Sequence, residues 1–130
     1  MIEPDYNNAC IYLKRSDNII KTFNFKDFVS AKSFKPVNEL RMKMSKIAAG
    51  KDTMGEEEEK NLDSTFYTLV TETAFTNPIT FDDAMDLMTT VEIGTLAEET
   101  LIFLINWSSI EAVKQYATQL SETKKKELKP

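Results

Sequence analysis

The sequence predicts a mainly α-helical protein: one domain, residues 1–130, folded as a bundle of about four helices with a small N-terminal β hairpin or extended element. Only three glycines and four prolines occur in 130 residues, too few for the many tight turns of an all-β fold. Apolar residues recur at helical spacing in four stretches after residue 36. Hydrophobic residues make up 42% and charged residues 28% of the chain, which is typical of a single globular core.

The central helix of the bundle is predicted at residues 96–120. This stretch holds the longest apolar run, LIFLI, and the only tryptophan, Trp107. Its first half is apolar nearly all round, as expected for a helix with neighbours on several sides. Gly94 is interpreted as a break, after which Thr95 and Glu98 have the spacing of a capping box. We expect Trp107 to be buried in the core.

The N-terminal part is predicted to contain a β hairpin. Residues 10–13 and 19–25 have strand character, and residues 15–18 supply turn-forming side chains. A lone hairpin is marginal in water, so this one is expected to dock on the helices or to pair with another chain. Residues 1–8, which include Pro4, are expected to be a loose tail.

Two shorter helices are predicted before residue 76. The first has Pro36 in its first turn and ends at Gly50. The second is expected to begin at Thr53, which forms a capping box with Glu56, and to run to about Phe75.

A third short helix is predicted to begin at Thr80, which forms a capping box with Asp83. The preceding Asn77 and Pro78 separate it from the helix before it. Beyond the central helix, residues 121–130 are polar and are expected to be a second loose tail.

Composition excludes several kinds of site. The chain has no histidine and one cysteine, Cys10, which rules out His-dependent catalysis, the usual zinc sites and an intrachain disulfide. No secretory signal follows Met1, and no apolar run is long enough to cross a membrane. We therefore expect a cytosolic protein with no cofactor, no metal and no enzyme activity.

Charge is distributed unevenly along the chain. Residues 1–50 carry nine Lys or Arg and five Asp or Glu, whereas residues 52–99 carry one basic residue and thirteen acids. The acidic middle argues against nucleic acid as the partner, because phosphate contacts need clustered Lys and Arg. It is instead typical of a solvated surface or of one that attracts basic partners.

Two acidic clusters invite a metal-site interpretation. The run at residues 56–59 places four carboxylates on consecutive helix positions, so they point in different directions. Asp82, Asp83 and Asp86 lack the alternating ligands and the glycine of a calcium loop. Both clusters are better explained as acids that stabilise helix N-termini.

Six methionines suggest an adaptable apolar surface, since methionine is common in grooves that accept varied partners. Phe81, Met85 and Met88 are the candidate partner-binding residues, predicted to line a groove beside the central helix. The alternative is that these side chains fill gaps in the core.

The order of the parts carries a family resemblance. A Phe-rich lead-in, KTFNF at residues 21–25, precedes a basic helix. A long helix then ends at Ala74 and Phe75, and the next begins with TFD at residues 80–82. Over residues 20–120 this order resembles the tail assembly chaperones of long-tailed bacteriophages, of the siphophage type.

The resemblance implies that the protein binds the tape measure protein before the tail polymerises, with tail tube subunits as a further client. It implies action in the cytoplasm of the bacterial host and absence from the mature virion. The family brings no catalytic residues, and self-association into a homo-oligomer stays open.

Two other functions stay open as well. One is a helical regulatory or adaptor protein of a phage, prophage or other mobile element that binds its partner through the N-terminal hairpin. The other, more remote, is a metalloenzyme that uses carboxylates alone, which titration with Mg²⁺, Mn²⁺ or Ca²⁺ would test.

Overall fold

The structure, a computed structural model that describes residues 1–106, combines a three-stranded antiparallel sheet with five helices. Along the chain the elements are β1 (Ile2–Asp5), β2 (Cys10–Arg15), β3 (Asn18–Asn24), α1 (Ala31–Ala48), α2 (Glu56–Lys60), α3 (Leu62–Ala74), α4 (Phe81–Leu87) and α5 (Thr90–Asn106). The predicted mainly α bundle is therefore wrong, because the described part of the chain is a mixed α/β fold. Trp107 and the tail predicted at residues 121–130 lie outside the described residues.

β2 and β3 form the predicted hairpin, closed by a two-residue turn. Ser16 and Asp17 have φ angles of 48° and 69°, the left-handed conformation that a type I′ turn requires at both central positions. Arg15 pairs with Asn18 at the turn. Aspartate tolerates this conformation better than most residues, so the hairpin closes without the usual glycine.

β1 replaces the loose tail predicted for residues 1–8. It pairs antiparallel with β2, with Ile2 opposite Leu13 and Pro4 opposite Ile11. The sheet order β1-β2-β3 makes β1 an edge strand. Proline is tolerated there because its missing N–H can face away from the sheet.

The connector between α3 and α4 covers part of the free edge of β3. Phe25 and Phe75 form an isolated antiparallel bridge. The side-chain amide of Asn77 donates to the Thr22 carbonyl at 2.8 Å and accepts from the Asn24 N–H at 2.9 Å. Because an unpaired strand edge can recruit other chains, these bonds protect this half of β3.

The core lies between one face of the sheet and the pair α3 and α5. Ile11 and Leu13 of β2 are fully buried. Phe25 stacks on Phe103 of α5, with ring centroids 3.8 Å apart and planes 7° from parallel, and lies 5.2 Å from the ring of Phe75. These rings join the sheet, α5 and the end of α3 in one cluster.

α1 begins earlier than predicted. The side-chain oxygen of Ser30 accepts a hydrogen bond from the Ser33 N–H at 3.1 Å, an N-cap that starts the helix six residues before Pro36. Pro36 therefore lies inside α1, where its ring nitrogen leaves the carbonyl four residues before it without the usual helical donor. Gly50, with φ of 73°, follows the end of α1 as predicted.

The helix predicted from Thr53 to Phe75 is two helices. Gly55, and not Thr53, occupies the N-cap of α2, without a side-chain hydrogen bond. Asn61 separates α2 from α3, and its side-chain amide donates to the Glu57 carbonyl at 3.1 Å. Asparagine side chains compete with the backbone for such bonds, which favours an interruption of the helix at Asn61.

α4 begins as predicted. The hydroxyl oxygen of Thr80 accepts a hydrogen bond from the Asp83 N–H at 3.1 Å. The helix is short, because Met88 at its C-cap is already extended, with φ of −126° and ψ of 158°.

α5 begins before the break predicted at Gly94. The hydroxyl of Thr89 accepts from the Glu92 N–H at 3.2 Å, and the Glu92 carboxylate accepts from the Thr89 N–H at 3.0 Å, which is a reciprocal capping box. The cap predicted at Thr95 is therefore wrong. Gly94 lies inside the helix, where it costs about 1 kcal/mol relative to alanine.

An ion pair between distant parts of the chain supports this cap. The Arg15 guanidinium donates to both carboxylate oxygens of Glu92, at 2.6 and 2.8 Å, and to the Leu87 carbonyl at 3.0 Å. The hydrogen bonds from Arg15 lower the pKa of Glu92 to about 2. Bidentate pairing is the strongest geometry for arginine and a carboxylate, and it ties the hairpin to the start of α5.

Glu92→Gln is expected to lower the free energy of unfolding at neutral pH by about 1–2 kcal/mol. The effect is modest because the Arg15 side chain is 42% exposed to solvent. The folded-state pKa lies below the ordinary value of 4.5, so the carboxylate stabilises the fold fully above about pH 4.5. That contribution is lost as the pH falls towards about 2. Urea denaturation at neutral pH and along the acid series measures both effects.

Glu98→Gln is the matched control for this measurement, since Glu98 is an exposed acid on the same helix. We expect it to leave the acid dependence of stability unchanged. If Glu92→Gln also follows the wild-type acid curve, the ion pair does not stabilise the fold.

Candidate functional site

The candidate site is a groove bounded by α1, α3, α4 and α5, with a volume of about 560 Å³. Residues of all four helices line it. α4 has only seven residues and leaves part of α3 and α5 uncovered. The groove is lined by Met44, Asp63, Phe66, Tyr67, Phe81, Met85, Thr90, Ile93, Gly94, Ala97 and Glu98. We call this surface the α4 groove.

The floor of the α4 groove is apolar and fixed in place. Tyr67 is 1% exposed, and its hydroxyl donates to the Ile79 carbonyl at 3.1 Å. Its ring meets the ring of Phe81 edge to face, with centroids 5.6 Å apart. Burial, aided by the charge of Asp83, raises the pKa of Tyr67 to about 12. The phenol therefore stays neutral at physiological pH and acts as a structural donor.

The predicted partner-binding residues divide between groove and core. Phe81 and Met85 both line the α4 groove, since residues four apart share one face of a helix. Phe81 is half-buried, whereas Met85 is 58% exposed. Met88 is 6% exposed and belongs to the core. It lies just beyond the end of α4, so the helical spacing that groups the other two does not extend to it.

Sequence reasoning named only two of the eleven lining residues, and three of the nine that it missed show why. Met44 and Phe66 fall on clean apolar stripes of α1 and α3 and so are indistinguishable from core positions in the sequence. Both are only half-buried, with one side of each facing the α4 groove. Gly94 is predicted to break the helix, and no local signal in the sequence distinguishes that from its observed position inside α5 on the groove surface.

The rim of the α4 groove is acidic. Asp63 of α3 and Glu98 of α5 are exposed lining residues. None of the lining residues, all within the described part of the chain, is Lys or Arg. An apolar floor with an acidic rim can bind apolar side chains that are flanked by positive charge.

Neither acidic cluster in the described residues is arranged as a metal site. Within residues 1–106, no group of three or more His, Cys, Asp or Glu side chains could hold an ion. In the same range, no helix is both long enough and apolar enough to cross a membrane.

Comparisons with known proteins identify no relatives: no protein-family model, no curated protein and no solved structure matches this chain. The class of protein that fold and site define is thus a small mixed α/β domain with an apolar groove on its helical side.

Proposed function

We propose that this protein is a tail assembly chaperone of a long-tailed bacteriophage. In this role the α4 groove shields apolar segments of the tape measure protein before the tail polymerises, and tail tube subunits are a further client. The chaperone acts in the cytoplasm of the bacterial host and is absent from the mature virion. The observation that carries the proposal is an exposed apolar groove with methionines in its wall.

The groove supports helix-in-groove binding. An amphipathic helix anchors itself through side chains spaced three and four residues apart in such a surface. The volume of about 560 Å³ falls within the range of about 300–1,000 Å³ that is typical of ligand pockets. Met44 and Met85 lie in its wall, and flexible thioether side chains can repack around different client segments. A chaperone that holds many apolar stretches of one long client needs this tolerance.

Co-expression with the tape measure protein of a long-tailed phage tests the proposal. We expect the wild-type chain to retain the tape measure protein in soluble form on affinity purification. Met85→Glu is expected to reduce the retained protein by about tenfold, because it places a charge in the apolar anchor site. Met85 is 58% exposed, so the variant should remain folded.

Met42→Glu is the matched control. Met42 is a methionine that is 49% exposed on α1 and lies outside the groove lining. We expect it to retain the tape measure protein as the wild type does. Failure of the wild type to bind, or an equal loss in both variants, would contradict the proposed function.

A regulatory or adaptor protein that binds through its hairpin is the second candidate. One observation favours it: Ile19 and Ile20, near the turn of the hairpin, are 54% and 49% exposed. These residues lie on the part of β3 beyond the edge that Asn77 covers. If Ile19→Thr with Ile20→Thr abolishes partner binding while Met85→Glu leaves it intact, the adaptor function is supported instead.

A further inference from the structure

Gly94 occupies a position where the fold does not need glycine. It lies in the interior of α5, and its φ is not in the left-handed region. A Cβ atom built there would meet no other atom within 4 Å. Neither backbone conformation nor internal packing therefore requires glycine, although glycine is the least favourable helix residue after proline.

The space left by Gly94 belongs to the α4 groove. Gly94 is exposed on the groove surface, and Ala97, one turn further along α5, is a second small lining residue. A missing side chain allows another backbone to approach a helix closely. The apolar walls formed by Phe81 and Met85 stand beside this notch. The surface is therefore shaped for a helix that lies directly on α5.

The negative charge of the rim favours a bound helix that carries positive charge. Asp63 and Glu98 contribute negative charge from two different helices, and none of the described lining residues carries a positive charge. A second copy of this chain is a poor occupant, because the chain carries a net charge of −5 and the rim of the groove is also acidic. The complementary occupant is a partner helix that carries Lys or Arg beside its apolar face.

We propose that the α4 groove binds a basic amphipathic helix of a partner protein, and that this helix packs against α5 at Gly94. The inference rests on the groove used in the proposed function and specifies the chemistry of its client. It does not depend on that client being a tape measure protein. Binding of this kind strengthens at low salt, because the rim charges are exposed to solvent.

Titration of the full chain with synthetic fluorescent peptides tests this inference by anisotropy. The probe is a helical peptide of about 18 residues with a Leu and Ala face flanked by lysines. A matched peptide carries Glu in place of every Lys. We expect the Lys peptide to bind at least about tenfold more tightly than the Glu peptide, and to weaken as salt rises from about 50 to about 500 mM.

Variants of Gly94 separate binding from folding. Gly94→Ala is expected to raise the midpoint of thermal unfolding and yet to lower the affinity for the Lys peptide severalfold. Gly94→Leu is expected to lower that affinity by about tenfold or more. Val91→Leu is the control, since Val91 is 77% exposed on the same helix and outside the groove lining. It should bind as the wild type does.

The outcomes distinguish the inference from the proposed function. Equal affinity for the two peptides, or wild-type affinity in Gly94→Leu, would overturn the inference even if the tape measure protein is retained. Binding of the Lys peptide that is lost in Gly94→Leu supports it even if the tape measure protein fails to bind. Dimers that form through the groove and vanish in Gly94→Leu, seen by sedimentation, would favour a second copy as occupant and also overturn it.

Discussion

Phe103→Ala is expected to lower the free energy of unfolding by about 3–5 kcal/mol, the cost of removing a buried aromatic ring and leaving a cavity. Phe103 is 2% exposed and stacks on Phe25 at 3.8 Å. Phe25 in turn lies 5.2 Å from Phe75. Loss of the Phe103 ring therefore removes the stacking that joins α5 to Phe25 and, through Phe25, to Phe75. Small domains have about 5–15 kcal/mol of stability in total, so the variant should be at the edge of folding.

Urea denaturation followed by circular dichroism measures this loss. Val91→Ala is the control on the same helix, because Val91 is 77% exposed, and its effect should stay within about 0.5 kcal/mol. A Phe103→Ala midpoint close to that of the control would mean that the stacked rings do not hold the sheet to α5. A double-mutant cycle of Phe25→Leu, Phe103→Ala and the combined variant measures the interaction energy of the two rings.

The start of α5 cannot be predicted from local sequence alone. Two stretches, residues 89–92 and 95–98, both read Thr-x-x-Glu, and either could start a helix by the same capping chemistry. The glycine between them favours the second. What selects the first is Arg15, which binds Glu92 from 77 residues away in the chain. No local pattern contains that contact.

Local sequence patterns predict two of the three strands and miss β1, for a related reason. The β2–β3 hairpin was predictable because its two strands are neighbours and alternate in polarity. β1 is a four-residue strand that contains Pro4, and the local signals of proline and short length both favour a loose tail. Its position is set by pairing with β2, and the core that supports this pairing lies on α3 and α5.

The candidate site was predictable only in part. Phe81 and Met85 share one helix face, and the spacing of four residues identified that face. Met88 would share that face only if α4 continued, and the extended conformation of Met88 ends the periodicity. Gly94 gave no usable signal, because a glycine inside a helix and a glycine that ends one look alike until the cap is known.

Tyr67→Ala is expected to lower the free energy of unfolding by about 3–5 kcal/mol and also to abolish binding in the α4 groove. Tyr67 is 1% exposed, and its ring supports Phe81 edge to face at 5.6 Å. Its hydroxyl holds the Ile79 carbonyl, just before α4, at 3.1 Å. One side chain thus connects the core to the position of α4 and to the wall of the groove.

Tyr67→Phe separates these two roles. It keeps the ring under Phe81 and removes the donor to the Ile79 carbonyl, so it should cost only about 1–2 kcal/mol. Affinity for the Lys peptide should change by less than about threefold, because the groove floor keeps its shape. Denaturation and anisotropy on both variants provide the comparison. If Tyr67→Phe loses binding as completely as Tyr67→Ala, the hydroxyl that positions α4, and not the ring beneath Phe81, determines the shape of the groove.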